Sequence, residues 1–121
     1  MGGLSVAAPI RLAELADVPI GGGLRISREV TGTVDDIALL RDQDGVVHAL
    51  DDTCTHALAS LAKGWVGDGH VECLLHGAKY DLCTGKELSS DWLPDARTHP
   101  VVVRDGVVFL LTTPPGEENQ G

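Results

Sequence analysis

Residues 54–86 read CTHALASLAKGWVGDGHVECLLHGAKYDLCTGK, and two short boxes stand out in them: Cys54-Thr55-His56 and Cys73-Leu74-Leu75-His76. Sixteen residues lie between His56 and Cys73. Each box offers one thiolate and one imidazole, and a fold could bring the two boxes face to face. A donor set of two sulfurs and two nitrogens suits zinc or an iron–sulfur centre. Zinc sites of this composition usually keep their cysteines in one box and their histidines in another, whereas here both boxes are mixed. Closing both ligands of a C-x-H box onto one tetrahedral ion is awkward. The difficulty disappears if the two residues of a box bind different metals, as a two-iron cluster asks. The spacing favours iron–sulfur and leaves zinc open.

Outward from the boxes, the chain reads as β-structure. Residues 10–13 (IRLA) suggest a first edge strand, and ELADVP a turn or short helical link. Residues 24–30 (LRISREV) alternate apolar and polar side chains, the period of a half-buried strand. Residues 37–41 (IALLR) and 46–50 (VVHAL) flank DQDG and read as a hairpin. Residues 101–104 (VVVR) and 107–111 (VVFLL) flank Asp105-Gly106, a dipeptide that favours a two-residue hairpin turn. Between these hairpins, VEC and AKYDL can each supply a short strand. The expected fold class is all-β: an antiparallel sheet or barrel base carrying an inserted loop-rich unit at about 52–96, within a single domain spanning 1–121. Residues 1–9 and the Pro-, Gly- and Glu-rich stretch from Thr112 read as loose ends.

The chain has 121 residues, enough for one modest core. It carries four aromatics, Trp65, Tyr80, Trp92 and Phe109, so that core must rest on Val, Leu, Ile and Ala. Eighteen acidic against nine basic residues give a formal charge of -9, which repels nucleic acid and suits basic protein partners. No apolar run approaches the roughly 18 residues that a bilayer span requires. No secretory signal is recognisable, and three cysteines do not make a disulfide framework. A cytoplasmic location without membrane contact is expected.

The stretch CTHALASLAKG followed by VECLLHGAKYDLCTGK resembles the two cluster loops of the Rieske family. All four ligand positions match, Gly77 matches the glycine after the last ligand, and Asp81, Thr84 and Gly85 match a D-x-x-T-G turn. The likeness covers roughly residues 45–111, including Pro94 and the closing hairpin. It implies a Rieske-like fold and one [2Fe-2S] cluster per chain, with Cys54 and Cys73 on an inner iron and His56 and His76 on an outer one. Within the family the chain is most similar to the small ferredoxins of bacterial ring-hydroxylating dioxygenase systems. That likeness implies a one-electron carrier rather than an enzyme, with no catalytic residues. Its implied partners are a flavin-dependent NAD(P)H ferredoxin reductase and a terminal oxygenase, and a monomer is expected. Competing readings are the Rieske-like small subunit of a nitrite reductase and a zinc-stabilised interaction module. The chain is too short to add a mononuclear iron domain.

Departures from the family pattern carry information. Respiratory-type relatives join the loops by a disulfide, but the corresponding positions here are Leu58 or Ala59 and Leu75. Leu74 replaces a common proline, which leaves the second loop less pre-set. Two imidazoles make the oxidised cluster neutral where four thiolates make it a dianion. That places such centres at roughly -150 to +300 mV, against about -400 mV for plant-type clusters. Ala78 stands where high-potential relatives have a sulfide-bonding serine, which points to the low end of the range. Tyr80 stands where they have a tyrosine bonded to a cysteine sulfur, which moderates the fall. Tyr80 and Pro94 are thus candidates for the surroundings of the cluster. His48, His70 and His99 are expected to be structural, Cys83 to be a shielded or inert free thiol, and Trp65 and Trp92 to shield the cluster from water.

Overall fold

The computed structural model describes residues 8–55, 59–75, 77–89 and 93–111. His56, His76 and Trp92 therefore lie outside the described residues. Among the described residues, ten short strands form three antiparallel sheets, in keeping with the all-β expectation. Strands β1 (Ile10–Glu14), β9 (Val101–Arg104) and β10 (Val107–Leu110) form one sheet in the order β1-β10-β9, with β1 at its edge. Strands β2 (Gly22–Ile26), β3 (Ile37–Arg41), β4 (Val47–Asp51) and β8 (Thr98–His99) form a second in the order β2-β3-β4-β8. The third, β5 (Trp65–Val66), β6 (His70–Glu72) and β7 (Lys79–Asp81), lies between the two boxes and just beyond the second.

Strand β3 explains how these parts hold together. Ile37, Ala38, Leu39 and Leu40 are all fully buried, so both faces of the strand are covered. The period of two divides them: Ile37 and Leu39 join one apolar cluster with Leu12, Val18 and Val108. Ala38 and Leu40 join a second cluster, which contains Cys54, Val71, Cys73 and Tyr80. Strand β4 divides likewise, with Val47 and Ala49 on the first side and Leu50 on the second. The central sheet is thus a wall with the base core behind it and the cysteine-bearing core in front.

Local chemistry sets the turns. Asp105 and Gly106 both adopt positive φ (52° and 77°), the requirement of the tight turn that pairs Val107 with Arg104. The β3–β4 hairpin is held by Asp42. Its Oδ1 accepts from the N–H groups of Asp44 (2.9 Å) and Val46 (3.0 Å), and its Oδ2 lies 2.9 Å from His48 Nε2. The His48 bond, followed by the two backbone bonds, holds the Asp42 carboxyl below its ordinary value against the opposing effect of burial. A depressed carboxyl contributes stability that is complete above the unfolded-state value near 4 and is lost as pH falls through the folded value. Asp42→Ala is expected to lower the unfolding free energy by about 1–2 kcal/mol at neutral pH. The difference from wild type should shrink below about pH 4, which urea unfolding at several pH values reads directly.

Two sequence expectations need correction. The strand expected over residues 24–30 ends at Ile26. Ser27 then caps a single helical turn, α1 (Arg28–Thr31), its side chain accepting from the Glu29 N–H. A serine that offers its oxygen to the N–H two residues on outweighs the weak alternation of Arg28, Glu29 and Val30. Cys83 is exposed rather than shielded, because it sits at the tip of the turn after β7.

Candidate metal centre

The two boxes are closed by the same kind of backbone bond. In the first, the Cys54 N–H donates to the Ala59 carbonyl at 2.9 Å; in the second, the Cys73 N–H donates to the Ala78 carbonyl at 2.7 Å. Each cysteine thus closes a loop onto the carbonyl five residues ahead, and each closed segment of sequence contains the histidine of its box. The two closed segments are of equal length, although one box is C-x-H and the other C-x-x-H.

Two carboxylates, one of them buried, and strand pairing tie down the loop ends. Asp52 is 3% exposed, and its Oδ1 accepts from Ser60 Oγ (2.8 Å) and the Ala62 N–H (2.9 Å). Its carbonyl accepts from the Leu61 N–H, and Thr53 bridges to Ser60. The Thr53 N–H and hydroxyl both donate to Asp35, at 2.9 and 3.0 Å. The second loop is carried by β6 and β7, where Glu72 pairs with Lys79 on either side of it. The two cysteines end in one buried cluster, Cys54 at 3% and Cys73 at 1% exposure.

Tyr80 joins this cluster because alternation along β7 turns Lys79 and Asp81 outward and Tyr80 inward. It is fully buried, with its hydroxyl 3.2 Å from Cys54 Sγ. The same oxygen accepts from the Thr55 N–H at 3.1 Å and lies 2.6 Å from Thr55 Oγ1. Thr55 Oγ1 in turn donates to the Pro94 carbonyl at 2.8 Å. Burial, reinforced by the Cys54 bond, pushes the Tyr80 phenol up to about 12. It therefore keeps its proton, and remains a donor, across the physiological range. Thr55 has no separate signal in the sequence beyond a hydroxyl residue filling the middle of C-x-H.

The Pro94 segment is pinned by the turn after β7. Asp81 Oδ1 accepts from the N–H groups of Cys83 (2.8 Å) and Thr84 (2.9 Å), which hold its carboxyl below the ordinary value. The turn closes at Gly85, whose carbonyl accepts from the Ala96 N–H at 2.8 Å. Asp95 Oδ1 accepts from the Glu87 N–H at 2.9 Å. Asp81, Gly85 and Pro94, far apart in their apparent roles, form one support.

Other sequence expectations fare unevenly. Trp65 is 65% exposed, so it shields nothing; in the two-residue strand β5, Val66 takes the inward position and leaves Trp65 outside, opposite Glu72. Leu74 and Leu75 in the second loop are also exposed. His48 bonds Asp42, His99 bonds Asp51 at 2.7 Å, and His70 lies 3.3 Å from the Asp68 carbonyl. Among the described residues no three His, Cys, Asp or Glu side chains are grouped as a metal site. Two buried thiols, a tyrosine hydroxyl directed at one of them and two equally closed loops fit a cluster that takes its sulfur donors on the inside.

The family model described as the Rieske [2Fe-2S] domain matches residues 9–100. The 3-phenylpropionate/cinnamic acid dioxygenase ferredoxin subunit of Photorhabdus laumondii is 41% identical over 98 residues, which are 80% of this chain and 88% of that protein. The ferredoxin of Sphingomonas yanoikuyae B1 superposes with a TM-score of 0.76 at 28% identity, over 87% of this chain and 99% of the other. A chain from the complex of reduced oxygenase and oxidized ferredoxin in carbazole 1,9a-dioxygenase superposes with a TM-score of 0.72 at 30% identity, over 84% and 99%. No helix among the described residues is long and apolar enough to cross a membrane.

Proposed function

This chain belongs to the Rieske [2Fe-2S] domain family and is a one-electron carrier with one such cluster, and from that premise we propose that it serves as the ferredoxin component of an aromatic-ring dioxygenase system. In this reading it takes electrons from a flavin-dependent NAD(P)H reductase and delivers them to a terminal oxygenase. Residues 52–96 are the cluster-binding insertion; within it, Cys54 and Cys73 hold the inner iron and His56 and His76 the outer one. The observation that carries the ligand assignment is the pair of matching backbone closures, each made by a cysteine N–H onto the carbonyl five residues on.

When bound, the cluster would supply storage for one electron, favoured on the histidine-held iron by the weaker donation of imidazole. The chain's own residues prepare the site. Burial of Cys54 and Cys73 in the front core excludes water from the sulfur end. The Tyr80 hydroxyl offers a donor to Cys54 Sγ, and a donor to a ligand sulfur favours the more negative, reduced form. The net charge of -9 draws a basic docking surface toward the protein.

The assignment is tested by reconstitution. NADH, a flavin-dependent ferredoxin reductase, this protein and an aromatic-ring oxygenase should together consume oxygen and hydroxylate the ring. Omitting this protein should stop turnover. Reduction by the reductase without reoxidation by any such oxygenase would favour another acceptor, such as a nitrite reductase.

The histidines give a second test. If His56 and His76 hold iron, each imidazole would keep one N–H free of the metal, which ferric iron would acidify more than ferrous iron. Loss of that proton stabilises the oxidised form, so the midpoint potential is expected to fall once pH exceeds the acidity constant of the oxidised N–H. Protein-film voltammetry over neutral to strongly alkaline pH reads this slope. A midpoint flat to about pH 11 would contradict exposed bis-imidazole ligation.

A further inference from the structure

The hydroxyl network beside Cys54 has more contacts than protons. Three short contacts run in series: Cys54 Sγ to Tyr80 OH at 3.2 Å, Tyr80 OH to Thr55 Oγ1 at 2.6 Å, and Thr55 Oγ1 to the Pro94 carbonyl at 2.8 Å. Only two hydroxyl protons are available to fill them, one on Tyr80 and one on Thr55. The Pro94 carbonyl can only accept, and a cysteine sulfur bound to iron can only accept. The Thr55 N–H already takes one lone pair of the Tyr80 oxygen at 3.1 Å.

Three proton arrangements fill two contacts each; the one in which Tyr80 donates to Cys54 while Thr55 donates to Pro94 leaves the two hydroxyl oxygens bare at 2.6 Å, the shortest contact of the three, and is excluded, so two remain. In the first, Tyr80 donates to Thr55 and Thr55 donates to Pro94, which fills both short O···O contacts and leaves the Cys54 contact without the Tyr80 proton. In the second, Tyr80 donates to Cys54 Sγ and Thr55 donates to Tyr80, which leaves two oxygens facing at 2.8 Å without a proton between them. Two bare oxygens that close repel, whereas a bare S···O contact at 3.2 Å is near the sum of the radii. The distances therefore favour the first arrangement for a neutral cluster. An added electron makes the sulfur a stronger acceptor and favours the second. Pro94 is exposed, so water can satisfy its carbonyl when Thr55 turns away.

We infer that Thr55 and Cys54 compete for the single Tyr80 hydroxyl proton, Thr55 holding it in the oxidised protein and yielding it to the sulfur on reduction. The inference rests on the reading of Cys54 as an iron ligand. One electron enters the cluster from the reductase; no proton leaves either oxygen, and both O–H bonds simply rotate. Thr55 is thus a positioning residue that lowers the midpoint, because part of the gain from the Tyr80–sulfur bond is spent breaking the Tyr80–Thr55–Pro94 chain.

The test is a double-mutant cycle read as midpoint potential on cluster-loaded protein. Thr55→Val removes the competitor and should shift the midpoint upward, while Thr55→Ser should stay near wild type. Tyr80→Phe should shift it downward, and adding Thr55→Val to Tyr80→Phe should change nothing further. A lowered or unmoved midpoint in Thr55→Val would overturn the inference. Wild-type protein supplies an independent reading: the Fe–S(Cys) stretch in resonance Raman should be more sensitive to deuterium exchange in the reduced state than in the oxidised one. Equal sensitivity in both states would also overturn it. Retention of the cluster in Cys54→Ala would instead refute the ligand reading, so the two failures are distinguishable.

Discussion

Gly85→Ala is expected to lower the unfolding free energy by about 3 kcal/mol or more, among the largest effects available to a single methyl group. Gly85 has φ +76°, and a Cβ built there falls 2.0 Å from the Ala96 carbonyl oxygen and 3.0 Å from its carbon. Both are backbone atoms, so no side-chain rotation relieves the overlap. Ala96 cannot easily retreat, because its own N–H is bonded to the Gly85 carbonyl at 2.8 Å. Moving it also moves Pro94 and Asp95, and with them the acceptor for Thr55 and the bond to Glu87. Gly69 is the matched control: its φ is +78°, yet a Cβ there meets nothing within 4 Å. Gly69→Ala should show the backbone strain alone, about 1–2 kcal/mol. Urea unfolding of the two variants separates strain from collision, and equal losses would show that the Ala96 contact is not what Gly85 serves.

Cys73→Ala is expected to abolish the cluster, taking iron and acid-labile sulfide from two per chain to near zero, whereas Cys83→Ser should leave both unchanged. The three cysteines differ in surroundings rather than chemistry. Cys73 is 1% exposed, in the same apolar cluster as Cys54 and Tyr80, while Cys83 is exposed at a turn. The loop bond at Cys73 is made by its backbone N–H, so alanine keeps the closure onto Ala78 and removes only the sulfur. Loss of visible absorbance in a folded Cys73→Ala protein therefore reports a missing ligand. Loss of cluster in Cys83→Ser would reassign the ligand set.

Much of the fold is legible in the chain because its turns declare themselves locally. Asp105-Gly106 and the Asp42–Gly45 segment each bring the residues that a hairpin needs, and β3, β4, β9 and β10 follow within a residue or two of expectation. The ends of β2 are less visible, because Ser27 as a helix cap competes with an alternating pattern that continues past it. Strands β5 and β8 are two residues long and hold no period to read. The continuous burial of Ile37–Leu40 has a cause outside β3 altogether: the front core exists only because the insertion folds back over the sheet.

The candidate site divides in the same way. Cys54 and Cys73 are visible through spacing and Tyr80 through the family resemblance, and the structure gathers all three into one buried cluster. Thr55 is not, since its contact with Pro94 joins residues 39 apart in the chain and depends on the Gly85 turn. Trp65 misleads for an energetic reason: aromatics are more often packed than exposed, but a two-residue strand has only one inward position, and Val66 occupies it.

Pulsed EPR of the reduced protein bears most directly on the account. Two strongly coupled nitrogens should appear, one from each histidine of the boxes, in a spectrum from one unpaired electron per chain. A reduced cluster lacking those nitrogen couplings, or a purified protein holding zinc and giving no signal, would contradict it.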